Sequence, residues 1–176
     1  MTTHRIEIGG IIRDLPVREV APGIKVALFN PLGDWEITEA AGRALAELVP
    51  EGTEALVMPD GKATALLHVL GRETGLPTYV ARKEKKPYMA EPVVEVSVKS
   101  ITTGRVQHLF LGAEDAEALA EKTVAVVDDV VSSGGTLKAM STLLTLVSAR
   151  YASTLAVFTE DTERDDVISL GHLPLF

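Results

Sequence analysis

The sequence has no cysteine among its 176 residues. That absence excludes a disulfide framework, a thiolate metal site and a cysteine nucleophile. Charged residues interrupt every apolar run well before the length of about 18 residues that a membrane-spanning helix requires. The opening Met-Thr-Thr-His-Arg has no apolar signal core. We therefore expect no membrane association and a cytoplasmic location.

Positive charge is also scarce. The chain carries 17 Lys and Arg against 25 Asp and Glu, a net charge of -8, so its surface as a whole repels the phosphate backbone of a nucleic acid. We expect no nucleic-acid partner. Hydrophobic residues make up 46% of the chain and charged residues 24%, a balance typical of globular proteins. A length of 176 residues favours one domain over the whole chain, 1–176.

Strand patterns and helix patterns follow one another along the chain. Apolar residues recur with helical spacing from Ile37 to Val49, with Asp34 as the predicted N-cap and Pro50 as the stop. Further strands are predicted at 54–58, 77–81, 123–127 and 154–158, helices at 62–75, 114–121 and 136–149, and a β-hairpin over 94–98 and 105–111. Strands separated by helices predict an α/β fold, an open, mainly parallel twisted sheet flanked by helices on both faces.

The most informative segment follows the predicted strand 123–127. Two adjacent acids, Asp128 and Asp129, stand where we expect that strand to end, exposed at its end. A turn of small residues comes next, here called the phosphate loop: Ser132, Ser133, Gly134, Gly135 and Thr136. Backbone N–H groups and hydroxyls at the start of a helix favour an anion, and glycines let it approach the backbone. Carboxylates beside such a loop repel a phosphate, so their useful partners are hydroxyl donors or a cation. A sugar phosphate offers a phosphate to the loop and hydroxyls to the acids.

Two other interpretations of this segment explain less. A plain strand-to-helix turn with an aspartate cap accounts for the glycines and leaves the paired acids unexplained. A nucleotide-binding loop of the Walker A kind needs Gly-x-x-x-x-Gly-Lys, a spacing that this segment lacks.

The segment resembles the phosphoribosyl pyrophosphate (PRPP) signature of the type I phosphoribosyltransferases: hydrophobic residues, two acids, two variable residues and a loop of small residues. The resemblance is closest to the adenine and xanthine enzymes. It implies the fold of that family, with a β-hairpin lid and a small hood from about residues 1–35 and 159–176. It also implies that Asp128 and Asp129 are catalytic and hold the ribose 2′- and 3′-hydroxyls, while the phosphate loop encloses the 5′-phosphate.

Other segments extend the resemblance. The family's pyrophosphate-binding loop corresponds to four residues, here called the pyrophosphate loop: Asp60, Gly61, Lys62 and Ala63. Arg82 and Lys83 stand at the family's basic strand end, and Lys99 stands on the lid segment, where it would cover the leaving group. Two positions depart from the family. Ala63 replaces the usual glycine, and Asp60 stands where the xanthine-type enzymes usually have glutamate.

The implied reaction is transfer of the 5-phosphoribosyl group from PRPP to a purine base, with release of pyrophosphate. Mg²⁺ is implied as a cofactor bound with PRPP, and no residue is assigned as its direct ligand. The implied hood gives base-binding roles to Phe29, Asn30 and Glu160. An aromatic residue flanked by aliphatic ones, as Phe29 is, is more often part of the core. Neither hood segment identifies the purine.

Two alternatives stay open. A regulatory module that binds PRPP or a nucleotide would keep the phosphate loop and lose the chemistry, and Ala63 favours that interpretation. The family's basic strand end lies at a dimer interface, which implies a homodimer in which Arg82 and Lys83 reach the neighbour's pyrophosphate site. In the alternative, these two residues serve their own subunit's site or a solvated loop.

Overall fold

The computed structural model describes residues 2–99, 106–162 and 164–176. Within these ranges the chain forms ten strands and four helices. The strands are β1 (Thr3–Ile8), β2 (Ile11–Ala21), β3 (Ile24–Ala27), β4 (Ala55–Pro59), β5 (Thr78–Ala81), β6 (Val94–Lys99), β7 (Val106–Leu111), β8 (Thr123–Val131), β9 (Arg150–Glu160) and β10 (Val167–Leu173). The helices are α1 (Trp35–Ala46), α2 (Thr64–Thr74), α3 (Ala113–Leu119) and α4 (Gly135–Leu146).

The centre of the fold is a parallel sheet of five strands in the order β10-β9-β8-β4-β5. Alternate residues face opposite sides, as a strand's period of two requires. Leu56 and Met58 of β4 pack with α1 and α2, whereas Ala55 and Val57 pack with α3 and α4. All residues of β4 are buried because both faces of the sheet are covered. The predicted α/β fold is confirmed.

Local sequence signals set the ends of the helices on one face. The Asp34 side chain accepts a hydrogen bond from the Ile37 N–H and caps α1, as predicted. Arg13 of β2 donates to both oxygens of the same carboxylate, at 2.7 and 2.9 Å, so the N-terminal strands are tied to this helix. Helix α2 ends at Gly75, whose φ of 71° is left-handed, as a C-terminal glycine allows.

The two ends of the chain hold elements that the sequence analysis did not predict. Strands β1, β2 and β3 form an antiparallel sheet, and β10 is the edge strand of the central sheet. The ends meet, because Lys25 and Phe176 exchange backbone hydrogen bonds of 3.1 and 2.9 Å. In the part of the chain that is described, no helix is long and apolar enough to cross a membrane.

The predicted hairpin is present as the antiparallel pair β6 and β7, which forms its own two-stranded sheet. It packs against α4 through Val96 and Leu109, both buried. Lys99 is the last residue of β6. Its side chain and the predicted turn at 102–104 lie outside the described residues, so the lid role of Lys99 stays a prediction.

Candidate functional site

The predicted site segments follow neighbouring strands at the edge of the sheet where those strands end. The pyrophosphate loop follows β4, Arg82 follows β5, the phosphate loop follows β8 and Glu160 is the last residue of β9. These strands are adjacent and parallel, so their carboxyl ends meet at one edge. Ligands of open α/β sheets bind at this edge.

The two acids are less exposed than the sequence analysis predicts. Strand β8 continues past them to Val131, because its last two residues pair with β9. Asp129 is therefore only 6% exposed, and Asp128 is partly buried. The expectation of exposed acids at a strand end is wrong, since the strand ends at the phosphate loop itself.

A lysine of the pyrophosphate loop reaches the acids. Lys62 Nζ lies 2.7 Å from Asp129 Oδ2 and donates a hydrogen bond to the backbone carbonyl of Phe29 at 3.1 Å. The contact with Asp129 is an ion pair whose geometry is not that of a hydrogen bond. Asp129 Oδ2 therefore has no hydrogen-bond partner among the described residues. One ammonium group thus joins the pyrophosphate loop, the acidic strand and the segment after β3.

The surroundings of Asp128 change the ionisation of its carboxyl group. Burial, with a smaller contribution from the negative charge of Asp129, raises the pKa of Asp128 to about 7. The backbone N–H of Asp129 donates to Asp128 Oδ1 at 2.9 Å and opposes that rise. A ligand that donates hydroxyl hydrogen bonds to the Asp128 oxygens, or brings a cation to them, favours the ionised form of Asp128.

The phosphate loop leaves the start of α4 open. Gly134 has a left-handed φ of 76° and caps the helix, a backbone conformation that favours glycine. No described side chain caps this end of α4, so its first N–H groups are left for solvent or a ligand. A cavity of about 170 Å³ lies against the loop, and Asp128 and Gln107 of β7 also line it.

The pyrophosphate loop and the basic strand end lie together at this edge of the sheet. Asp60 donates its backbone N–H to the Ala81 carbonyl at 2.8 Å, and its carboxylate lies 3.6 Å from Arg82 Nη1. Lys83 Nζ lies 3.8 Å from the position that a β-carbon would take at Gly61. Both cations therefore face the loop of their own subunit.

Ala63 fits its position without strain. It precedes α2 with a φ of −77°, a value open to any residue, and its methyl group is buried in the core with Leu66 and Leu67. The backbone here does not require the glycine that the family usually has. No described side chain caps α2, so this helix also begins with free N–H groups beside the loop.

The predicted base-binding residues occupy different surroundings. Phe29 is a core residue, 4% exposed, and its ring lies edge-on to Phe158 with centroids 5.1 Å apart. Asn30 is exposed, and its side chain accepts from the Leu32 N–H at 3.3 Å. Glu160 interacts with Ser132 of the phosphate loop. Burial raises the pKa of its carboxyl, and a hydrogen bond from Ser132 and the charge of Lys62 oppose that rise.

The donor set suits a cation that arrives with its ligand. Mg²⁺ is commonly held by one or two carboxylates together with phosphate oxygens of a substrate. Asp128 and Asp129 supply such a pair beside the cavity. In the described ranges, no three side chains of His, Cys, Asp or Glu gather as metal ligands, so a bound Mg²⁺ would take its other ligands from substrate and water.

Two residues that line or contact this edge could not be identified from any sequence pattern. Gln107 lines the phosphate-loop cavity from the hairpin, and Tyr88 accepts a hydrogen bond from Arg82 Nη2 at 3.3 Å. A single glutamine in a strand and a single tyrosine in a loop belong to no motif. Only the packing of the hairpin and of the segment after β5 brings them to the site.

Comparisons with known proteins match the part of the chain that forms this edge of the sheet. The phosphoribosyl transferase domain family matches residues 32–168, which include both loops and both acids. The chain is 30% identical to HGPRTase-like protein 3 of Haloterrigena turkmenica over 136 residues, 76% of this chain and 69% of that protein. It is 32% identical to the xanthine phosphoribosyltransferase of Deinococcus deserti over 109 residues, 62% of this chain and 54% of that protein.

Solved structures show the same fold. An adenine phosphoribosyltransferase from Thermoanaerobacter pseudethanolicus superposes with a TM-score of 0.67, over 97% of this chain and 95% of that one, at 18% identity. At this identity the likeness concerns the fold alone, and it confirms the fold that the resemblance implies.

Proposed function

The chain belongs to the phosphoribosyl transferase domain family, and from this premise we propose that it transfers the 5-phosphoribosyl group of PRPP to a purine base and releases pyrophosphate. One observation carries the proposal. Lys62 of the pyrophosphate loop contacts Asp129 at 2.7 Å, while the phosphate loop follows the same acids along β8. Groups suited to the two phosphate ends of PRPP thus flank groups suited to its ribose.

PRPP would bind along this edge in an extended form. The phosphate loop would hold the 5′-phosphate, and Asp128 and Asp129 would accept hydrogen bonds from the ribose hydroxyls. The pyrophosphate group would lie at the pyrophosphate loop, near Lys62, Arg82 and Lys83. Lys62 would then leave Asp129 for the pyrophosphate, and the hydroxyl donors would replace its charge at the acid.

The chemistry requires little from the protein except position and charge. The bond between C1′ and the pyrophosphate oxygen breaks, and its electron pair leaves with the pyrophosphate. A purine nitrogen forms the new bond to C1′ and releases its proton to solvent. Cations near the departing oxygens stabilise the transition state, and Mg²⁺ bound with PRPP would add positive charge to the departing group.

A purine is proposed because the similar proteins are named for purine substrates. Within this chain, Glu160 and Asn30 are the candidates for contact with the base. Glu160 interacts with Ser132 and with the charge of Lys62, so its carboxyl lies at the same edge of the sheet as the two loops. Phe29 is held in the core and offers no face for stacking on a base.

A PRPP- or nucleotide-binding regulatory module is the second candidate. Ala63 buries a methyl group where the family usually has glycine, and this difference is the observation that favours it. Such a module would bind PRPP without consuming it.

The two candidates are separated by an assay of pyrophosphate release from PRPP and Mg²⁺ with adenine, guanine, hypoxanthine and xanthine in turn. The first predicts release that depends on one or more of these bases and falls sharply in Asp129→Asn. If PRPP binds but no pyrophosphate is released with any of these bases, the result would support the regulatory module and overturn the proposed enzyme activity.

A homodimer stays a prediction. Arg82 and Lys83 lie at their own subunit's loop, which favours a site that each subunit completes alone. Mixing an Arg82→Ala/Lys83→Ala variant with Asp128→Asn tests this, because only a shared site lets the mixture recover activity. Sedimentation at micromolar concentration measures the oligomer itself.

A further inference from the structure

A guanidinium group lies against Gly134 of the phosphate loop, on the segment between β9 and β10. The Nη1, Cζ and Nη2 atoms of Arg164 lie 2.6, 2.9 and 3.0 Å from the position that a β-carbon would take at Gly134. The group therefore packs directly on the backbone of this glycine, at the first residues of α4. The Arg164 side chain is 24% exposed, so it has access to solvent and is otherwise enclosed.

A cation at this place is unfavourable unless an anion accompanies it. The start of a helix carries partial positive charge, and a nearby cation raises the energy of the helix. Asp166 offsets part of this cost, because Arg164 Nε and Nη2 donate to its two carboxylate oxygens at 2.9 and 2.6 Å. Nη1 takes no part in that bidentate pair, and it is the guanidinium atom nearest Gly134.

We propose that Arg164 binds the phosphate group that occupies the phosphate loop, with Nη1 as the donor, and that Asp166 competes with this phosphate for the guanidinium. The proposal rests on the proposed function, which makes the loop a phosphate site. A bound phosphate would remove the repulsion between Arg164 and the helix, and arginine and phosphate form strong charge-assisted hydrogen bonds. Asp166 would hold the side chain beside Gly134 until the phosphate binds.

Ribose 5-phosphate is the probe, and isothermal titration calorimetry measures its dissociation constant. Arg164→Met keeps most of the side-chain stem over Gly134 and removes the charge, so affinity should fall by about tenfold or more. Arg164→Lys keeps the charge and should retain an intermediate affinity. Asp166→Asn removes the competitor and should tighten binding. Arg150→Met, at the opposite end of β9, is the matched control and should bind as the wild type does.

Competition predicts weaker binding of ribose 5-phosphate in Arg164→Met and tighter binding in Asp166→Asn. If Asp166 only supported the loop, its replacement would weaken binding as well. Weakening in both Arg164→Met and Asp166→Asn, or wild-type affinity in Arg164→Met, would overturn the proposal. Pyrophosphate, titrated as a second probe, should bind equally to the wild type and Arg164→Met, because its loop follows β4. If Arg164→Met does not fold, as judged by thermal unfolding, the sign of the Asp166→Asn change decides.

The same titration separates failure of the proposed function from failure of this inference. Absence of any ribose 5-phosphate binding to the wild-type chain would overturn the phosphate loop and this inference together. Binding by the wild type with no effect of Arg164 would overturn the inference alone.

Discussion

The environment of Asp128 makes the stability of the protein depend on pH in a direction that can be measured. Its pKa is about 7 in the folded chain against an ordinary value of 3.8, so the folded state holds the proton more tightly than the unfolded state between these values. The free energy of unfolding contributed by this group is therefore highest below about pH 4 and falls as the pH rises to about 7. One pKa unit corresponds to about 1.4 kcal/mol, so the whole effect is up to about 4 kcal/mol.

Urea unfolding of the wild type and Asp128→Asn at about pH 5.5 and about pH 8 measures this effect. The amide does not ionise, so between the two pH values the variant should gain about 1 to 3 kcal/mol relative to the wild type. Asp14→Asn is the matched control. A bidentate contact with Arg5 lowers the pKa of Asp14, so its ionisation does not change in this interval and its difference from wild type should be constant.

A difference between Asp128→Asn and the wild type that is the same at both pH values would refute this reasoning. Asp128 would then ionise alike in the folded and unfolded chains, and its burial beside Asp129 would have no electrostatic consequence.

Three further predictions concern neighbouring residues. Lys62→Met leaves the buried Asp129 carboxylate without its ion-pair partner, so urea unfolding should show a loss of about 1 to 3 kcal/mol, and calorimetry should show weaker pyrophosphate binding; wild-type values for both would contradict the contact. Gly134→Ala places a methyl group at a left-handed φ and against a guanidinium, so it should cost about 1 kcal/mol or more and abolish the rise in melting temperature that ribose 5-phosphate causes. If that rise persists in full, the phosphate loop is assigned wrongly. Phe29→Leu loses packing against Phe158 and should destabilise the chain by about 1 kcal/mol with an unchanged KM for the purine; a raised KM at unchanged stability would place the ring in the base site.

The central sheet and its helices were predictable because local signals agree with the fold. The short apolar run of β4, the Asp34 cap and the Gly75 stop each act within a few residues. The phosphate loop was predictable for the same reason, since a strand, a turn of small residues and a helix follow directly on one another. For the pyrophosphate loop and Arg82, the family resemblance gave both segments to one group of the substrate, and the structure places them together.

The first hairpin had a signal that the sequence analysis did not use. Gly9 and Gly10 stand between Ile8 and Ile11, and both glycines have positive φ, 55° and 79°. Two glycines between apolar strands are typical of a tight hairpin turn. Strand β10 has no comparable signal, because it forms by pairing with β9.

The individual contacts of the site could not be predicted, because they depend on how far side chains extend and on segments far apart along the chain. The sequence placed Lys62 in the pyrophosphate loop, but its ion pair with Asp129 follows from how far β8 extends and how deeply the acid is buried. The contact between Arg164 and Gly134 joins the segment between β9 and β10 to the start of α4. Such contacts join residues far apart along the chain, and no local sequence pattern predicts them.

The central claim is tested most directly by identifying the product formed from PRPP, Mg²⁺ and a purine base. We predict that at least one of adenine, guanine, hypoxanthine and xanthine is converted to its nucleoside 5′-monophosphate, in an amount equal to the pyrophosphate released, and that Asp129→Asn abolishes both. Binding of PRPP by a folded chain that forms no nucleotide with any of these bases would contradict the account.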